Sequence, residues 1–247
     1  MLEIEYDPLL VGLSIAVAVW GSWTALVLTL GLLDERKPMS QIIAQCINSA
    51  AVMGGSIWAM HFIAMLAVGF PIAITYNMTE TIASLLLAIS VCGLGLFVAS
   101  QKVTGLSGIL TGGTLIGLGI AGMHYLGVSA IRGCGLTFQA LGVAASVIIA
   151  IVAASVALWF ALRKRRLVET AIGGVIMGLA ISAMHFTGMY ATQFVSKPVL
   201  VSVTHPQLSQ SILAYAIAMA VFAVCTAQLL TVSSSTNRTP GIFRRGY

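Results

Sequence analysis

The sequence predicts an all-α fold: a polytopic membrane helix bundle of seven transmembrane helices, built as three repeated helical hairpins plus a seventh helix, N-out and C-in. Three observations predict it. Of 247 residues 59% are hydrophobic and only 8% charged, whereas a soluble domain carries roughly 25% charged residues. The apolar residues form long unbroken runs, which suit helices rather than the alternating strands of a barrel. A single motif also recurs three times at a spacing of about 60 residues, the signature of an internal repeat.

Taken in order, the apolar segments are 8–33, 42–68, 79–100, 109–131, 140–162, 167–192 and 208–232. Each is long enough to cross a hydrocarbon core of about 30 Å. Polar residues and breakers collect in the joins: Asp34-Glu35-Arg36-Lys37-Pro38, Gln101-Lys102, Arg132-Gly133-Cys134-Gly135, Arg163-Lys164-Arg165-Arg166, and Lys197-Pro198 through His205-Pro206. Orientation follows from the cations. With the N-terminus outside, Arg36, Lys37, Lys102, Arg163, Lys164, Arg165, Arg166, Arg238, Arg244 and Arg245 lie inside, and only Arg132 and Lys197 lie outside. The membrane domain is thus expected over 8–232, with 233–247 as a short cytoplasmic tail. The net charge of +5 is accounted for by this sorting and points to no nucleic acid. Cys46, Cys92, Cys134 and Cys225 are scattered without CxxC spacing, so neither a zinc site nor a disulfide framework is indicated.

The repeated motif reads Gly54-x-x-Ile57-x-Ala59-Met60-His61-Phe62-x-Ala64, Gly117-x-x-Ile120-x-Gly122-Met123-His124-Tyr125-x-Gly127, and Gly178-x-x-Ile181-x-Ala183-Met184-His185-Phe186-x-Gly188. It falls in segments 2, 4 and 6, which run in the same direction. Each His stands seven residues before the predicted end of its segment (68, 131 and 192), about 10 Å along a helix rising about 1.5 Å per residue. Three histidines at one depth on co-oriented helices predict a single ring. An intramembrane ionisable side chain is a functional-site hypothesis by default, because its burial is costly.

Helical projection places Met65 and Met189, four residues after their histidines, on the histidine face. Segment 4 carries Val128 at that position, so a lopsided site is expected, with sulfur from segments 2 and 6 and a smaller share from His124. The small residues at His−7, His−2 and His+3 read as close-packing devices between helices, and most methionines in apolar helices pack. Packing, however, gives no reason for the same imidazole in all three copies. A shared metal is expected on His61, His124 and His185, with Met60, Met65, Met123, Met184 and Met189 as candidate sulfur donors. Imidazole plus thioether, with no carboxylate nearby in sequence, suits copper, particularly Cu(I). Haem is the alternative cofactor, since His and Met are both axial ligands and the Gly at His−7 could open a slot for a macrocycle. Trp20 and Trp23 are expected to pack inside the bundle, and Trp159 to anchor an interface beside the basic cluster. His205 could cap the site if its loop folds inward. No nucleophile–base pair, P-loop or Rossmann fingerprint appears, so no enzyme activity is expected.

The Met-His-Phe, Met-His-Tyr and Met-His-Phe-Thr triplets resemble the MHYT domain of bacterial membrane sensors, and the resemblance covers residues 8–232. It implies a sensory module of the bacterial cytoplasmic (inner) membrane that binds copper through the Met and His of its motifs. The implied stimulus is oxygen, carbon monoxide, nitric oxide or redox state. It carries over to Met60, His61, Met123, His124, Met184 and His185. The Thr of the motif is present only as Thr187, against Ile63 and Leu126 in the other copies, so it is assigned no essential role. Many members of this family continue into cytoplasmic signalling domains, whereas here the chain ends about fifteen residues after segment 7, as a stand-alone sensor or a fragment of a longer signalling protein would. For the stand-alone sensor a cytoplasmic signalling partner is expected, besides the lipid bilayer and the gas. A copper-handling or transport protein is the competing reading.

Overall fold

The computed structural model describes residues 2–33, 38–101, 106–163, 166–196 and 210–238. Seven helices long and apolar enough to cross a membrane dominate it. They are α1 (Pro8–Thr29), α2 (Met39–Leu66), α3 (Met78–Gln101), α4 (Leu106–Ser129), α5 (Ala140–Ala161), α6 (Leu167–Tyr190) and α7 (Gln210–Arg238). Asp7 starts α1 by accepting from the backbone N–H groups of Leu9 and Leu10, and Pro8 occupies the first turn, where no intrahelical N–H is required. A short 3-10 turn, Leu30–Leu33, tightens its far end. The predicted boundaries hold to within a few residues, except that α7 runs on to Arg238. Hydropathy marks where a helix leaves the apolar zone, not where its backbone bonding stops.

The hairpins α1–α2, α3–α4 and α5–α6 close into a ring, with α6 packed back on α1, and α2, α4 and α6 touch one another at its centre. The closure rests on glycines. A Cβ on Gly54 would strike the backbone of Ala88 and Ile89 on α3. Gly117 stands in the same relation to Ala150 and Ile151 on α5, and Gly178 to Val19 on α1. The glycine at His−7 thus brings each inner helix against the next hairpin, as small residues do where bilayer helices approach closely. Neighbouring backbone lies directly against the three glycines at which a slot for a macrocycle could open.

Helix α7 stands outside the ring, against α1 and α2. Only 17% of its span is buried, against 83% for α2, which the ring and α7 together enclose. Exposed Leu86, Leu118, Leu141, Ile148 and Ile172 are the surface expected toward lipid, so the chain is a multi-pass membrane protein.

Three two-stranded sheets, unforeseen in the sequence, cover the histidine end of the bundle. They pair β1 (Glu5–Tyr6) with β2 (Val68–Gly69), β3 (Thr75–Tyr76) with β4 (Ile131–Arg132), and β5 (Cys134–Phe138) with β6 (Thr192–Ser196). Each repeat is therefore strand–helix–helix–strand, its own two strands paired antiparallel. The register repeats: Tyr6 faces Val68, Tyr76 faces Ile131 and Phe138 faces Thr192, always the seventh residue after a motif His. One residue on, the backbone N–H groups of Asp7, Asn77 and Gln139 donate to Ala67, Ala130 and Ala191, each at 2.8 Å. Arg132, an exception to the expected cation sorting, forms a 2.8 Å ion pair with Glu80 of α3.

Candidate metal centre

Each motif His lies five residues before the end of its helix (Leu66, Ser129, Tyr190), so the common depth read from the sequence is present. The three rings meet on the bundle axis. Every pair of ring centroids is 5.0 Å apart and every pair is edge-to-face, with interplanar angles of 75°, 76° and 88°. The nitrogens turned inward are Nδ1: that of His61 is 3.0 Å from His185 Nδ1 and 3.2 Å from His124 Nδ1. Among the described residues this is the one group of His, Cys, Asp or Glu close enough to share an ion, and all three members are buried.

Two nitrogens bound to one tetrahedral ion at about 2.0–2.1 Å lie about 3.3–3.4 Å apart, so the Nδ1 cluster needs only a few tenths of an ångström to match a ligand set. The outward Nε2 atoms of all three rings have no hydrogen-bond partner among the described residues. Those of His61 and His124 are held by shape instead. Gly127 lies against Nε2 of His61, and Gly188 against Nε2 of His124, so closely that a Cβ at either glycine would collide. In the second and third repeats the glycine at His+3 thus seats the imidazole of the preceding repeat, whose Nδ1 faces the axis. In sequence it reads only as helix packing.

The methionines form layers around the ring. Met65 and Met189, both buried, join Val128, Val68, Ile131 and Phe194 in an apolar cluster between the histidines and the strands. Met60, Met123 and Met184 are buried in the main core. Met65, Met189 and Val128, the corresponding positions of the three repeats, thus share one layer a turn above the histidines. The imidazoles themselves are evenly spaced, and their spacing gives no reason for His124 to contribute less.

The aromatic residue after each His fastens one repeat to the next. Phe62 meets Tyr76 at 5.2 Å, Tyr125 meets Phe138 at 5.4 Å, and Phe186 meets Tyr6 at 6.1 Å between centroids. Sequence reasoning missed these partners, although a signal existed: Tyr6, Tyr76 and Phe138 each stand two residues before an odd-numbered helix. Tyr76 also donates through its hydroxyl to the Met65 carbonyl at 3.3 Å. Burial, then the nearby Cys134, pushes its phenol well above the ordinary value, so it stays a neutral donor. Trp20 and Trp23 pack edge-to-face at 5.1 Å, and Arg163 lies 4.4 Å over the Trp159 ring. His205 lies outside the described residues.

A family model described as "Bacterial signalling protein N terminal repeat" matches residues 1–42, 54–112, 117–174 and 178–242, three of its four stretches opening on or beside a motif glycine. The chain belongs to the MHYT family. Among MHYT relatives, it is 38% identical over 202 residues to the bifunctional diguanylate cyclase/cyclic di-GMP phosphodiesterase MucR of Pseudomonas aeruginosa, covering 78% of this chain and 29% of that protein. It is 38% identical over 196 residues to the cyclic di-GMP phosphodiesterase NbdA of the same organism (75% and 24%). Identity to the signaling protein YkoW of Bacillus subtilis is 31% over 200 residues (78% and 25%). The alignments thus cover about a quarter of the length of these MHYT relatives. No solved structure matches the chain.

Proposed function

We propose that this MHYT domain is a sensor of the bacterial cytoplasmic membrane that holds one copper ion on Nδ1 of His61, His124 and His185. Its stimulus is a diatomic gas (oxygen, carbon monoxide or nitric oxide) or the redox state of the ion. The observation that carries the reading is the convergence of three Nδ1 atoms, 3.0 and 3.2 Å apart for the two contacts of His61, inside an apolar bundle. Neutral imidazoles present lone pairs there, and Gly127 and Gly188 fix the rings that present them. The Met65–Met189 layer and the strands above it keep water from the centre.

The donor set supports copper. Three imidazoles with thioethers of Met60, Met65, Met123, Met184 and Met189 in the surrounding layers are soft-to-borderline. No carboxylate joins the cluster among the described residues, so the site offers no negative charge, and burying a monovalent ion costs less than burying a divalent one. When bound, copper would supply a one-electron couple and an affinity for diatomic ligands. Backbone packed against Gly54, Gly117 and Gly178 leaves little room for haem. One turn below the ring, Ile57, Ile120 and Ile181 share their space with the thioethers of Met53, Met177 and Met184, so copper handling or transport is the second reading. The cation sorting supports placing the strand-bearing end outside. The signal then leaves through the cytoplasmic side to a signalling module, in this chain's own protein or a partner; the cyclic di-GMP enzymes among its relatives suggest the kind.

The test is elemental analysis and X-ray absorption of the purified protein. Copper with a predominantly imidazole shell is expected. Iron with a Soret band would replace copper with haem, and absence of any bound metal after copper loading would end the reading.

A further inference from the structure

We infer that a small void on the strand-distal side of the histidines is a binding site for one apolar diatomic molecule, reached from the bilayer rather than from water. The inference deepens the sensory reading above, and its purpose rests on that reading. The void has a volume of about 20 Å³ and lies among α2, α4, α5 and α6. Ile57, Ile120 and Ile181 line it, each four residues before a motif His, so it sits one helical turn from the imidazole ring. Met184, immediately before His185, also reaches it, and Met53, Met177 and alanines of α5, Ala153 and Ala154 among them, complete the wall.

Size and chemistry select the guest. A space must offer about 10–15 Å³ to hold a single water-sized molecule, and a buried water needs two to four polar partners. The void satisfies the first condition and fails the second, because every residue lining it is Ala, Ile or Met. Water, ions and polar metabolites therefore gain nothing there. Oxygen, nitric oxide and carbon monoxide are small enough, uncharged and nearly apolar.

The route is set by what surrounds the site. Toward the strands, the histidines and the cluster of Met65, Val128, Met189 and Phe194 intervene. Toward lipid, the barrier is one helix, α5. Its outer face carries exposed Ile148 and Val152, its inner face is alanine, and Ala153 is only half-buried at the rim of the void. Apolar gases concentrate in the hydrocarbon from which this helix separates the site.

The experiment is methyl NMR of the metal-free protein in lipid nanodiscs, with isoleucine δ1 methyls labelled, under pressurised oxygen and under nitrogen. Paramagnetic oxygen should relax the methyls of Ile57, Ile120 and Ile181 several-fold more than that of Ile63, which like them is buried but lies outside the void. The Ala154→Leu variant, which fills the space, should bring them down to the Ile63 level. Void methyls relaxed no more than Ile63 in the wild-type protein would overturn the inference, and that comparison decides even if Ala154→Leu fails to fold. Because no metal is present, failure here leaves the copper reading standing, and failure of copper loading leaves the void standing.

Discussion

Gly127 and Gly188 each lie against the outer nitrogen of a neighbouring imidazole, and adding one methyl group at either place should disturb the centre without replacing a proposed ligand. A Cβ on Gly127 would come to 3.0 Å from Cδ2 and 3.3 Å from Cε1 of His61, with Nε2 nearer still. Carbon contacts are most favourable at about 3.5–4.0 Å, so the ring must withdraw by about 1 Å or the helices must part. Overpacking of this kind costs about 1–3 kcal/mol, offset in part by the gain of about 0.8–1.0 kcal/mol in helix propensity from Gly to Ala. The displaced Nδ1 should weaken copper binding by about 10–100-fold, the loss typical when a group that orients a ligand is altered. The assays are thermal unfolding in detergent and competition for Cu(I) against a chelator. Gly55→Ala and Gly122→Ala are the controls, since a Cβ meets nothing within 4 Å at Gly55 and only Leu87 Cδ2 at 3.6 Å at Gly122. If Gly127→Ala and Gly188→Ala bind copper as tightly as these controls, the glycines do not position the imidazoles.

Three further outcomes are expected. Replacing His61, His124 or His185 singly by Ala should each lower copper stoichiometry by a similar factor, given equal ring spacing; retention of copper in all three would remove the ring as the site. Asn48 and Gln228 exchange two amide hydrogen bonds, at 3.3 and 3.0 Å, that tie α7 to α2. Asn48→Leu should loosen α7 by about 0.6–2 kcal/mol, seen as faster hydrogen exchange in α7, and adding Gln228→Leu should recover part of the loss; unchanged exchange in the single variant would make the pair dispensable. Reporter fusions after Arg166 and Arg245 should read cytoplasmic and one after Tyr76 periplasmic, and export of the Arg166 fusion would reverse the proposed orientation.

The sequence by itself was sufficient for the seven spans, their pairing into hairpins and the common level of His61, His124 and His185. The physical reason is that a bilayer fixes the length of an apolar run, and helical rise then converts residue number into depth. It was equally sufficient to separate the sulfur-bearing positions Met65 and Met189 from Val128, because four residues is one helical turn. What it could not supply was rotation about each helix axis and the choice of neighbour. Only the assembled ring shows that Nδ1 rather than Nε2 faces the axis, and that Gly127 and Gly188 serve an imidazole of another repeat. The same holds for Gly54, Gly117 and Gly178. Projection puts them on the histidine face, yet two turns from the histidines they lie against the next hairpin. Two-residue strands such as Glu5–Tyr6 and Val68–Gly69 are too short to show a period of two. Their pairing is imposed by the helix ends that bring them together, as is the void beside the histidines, which belongs to no single segment.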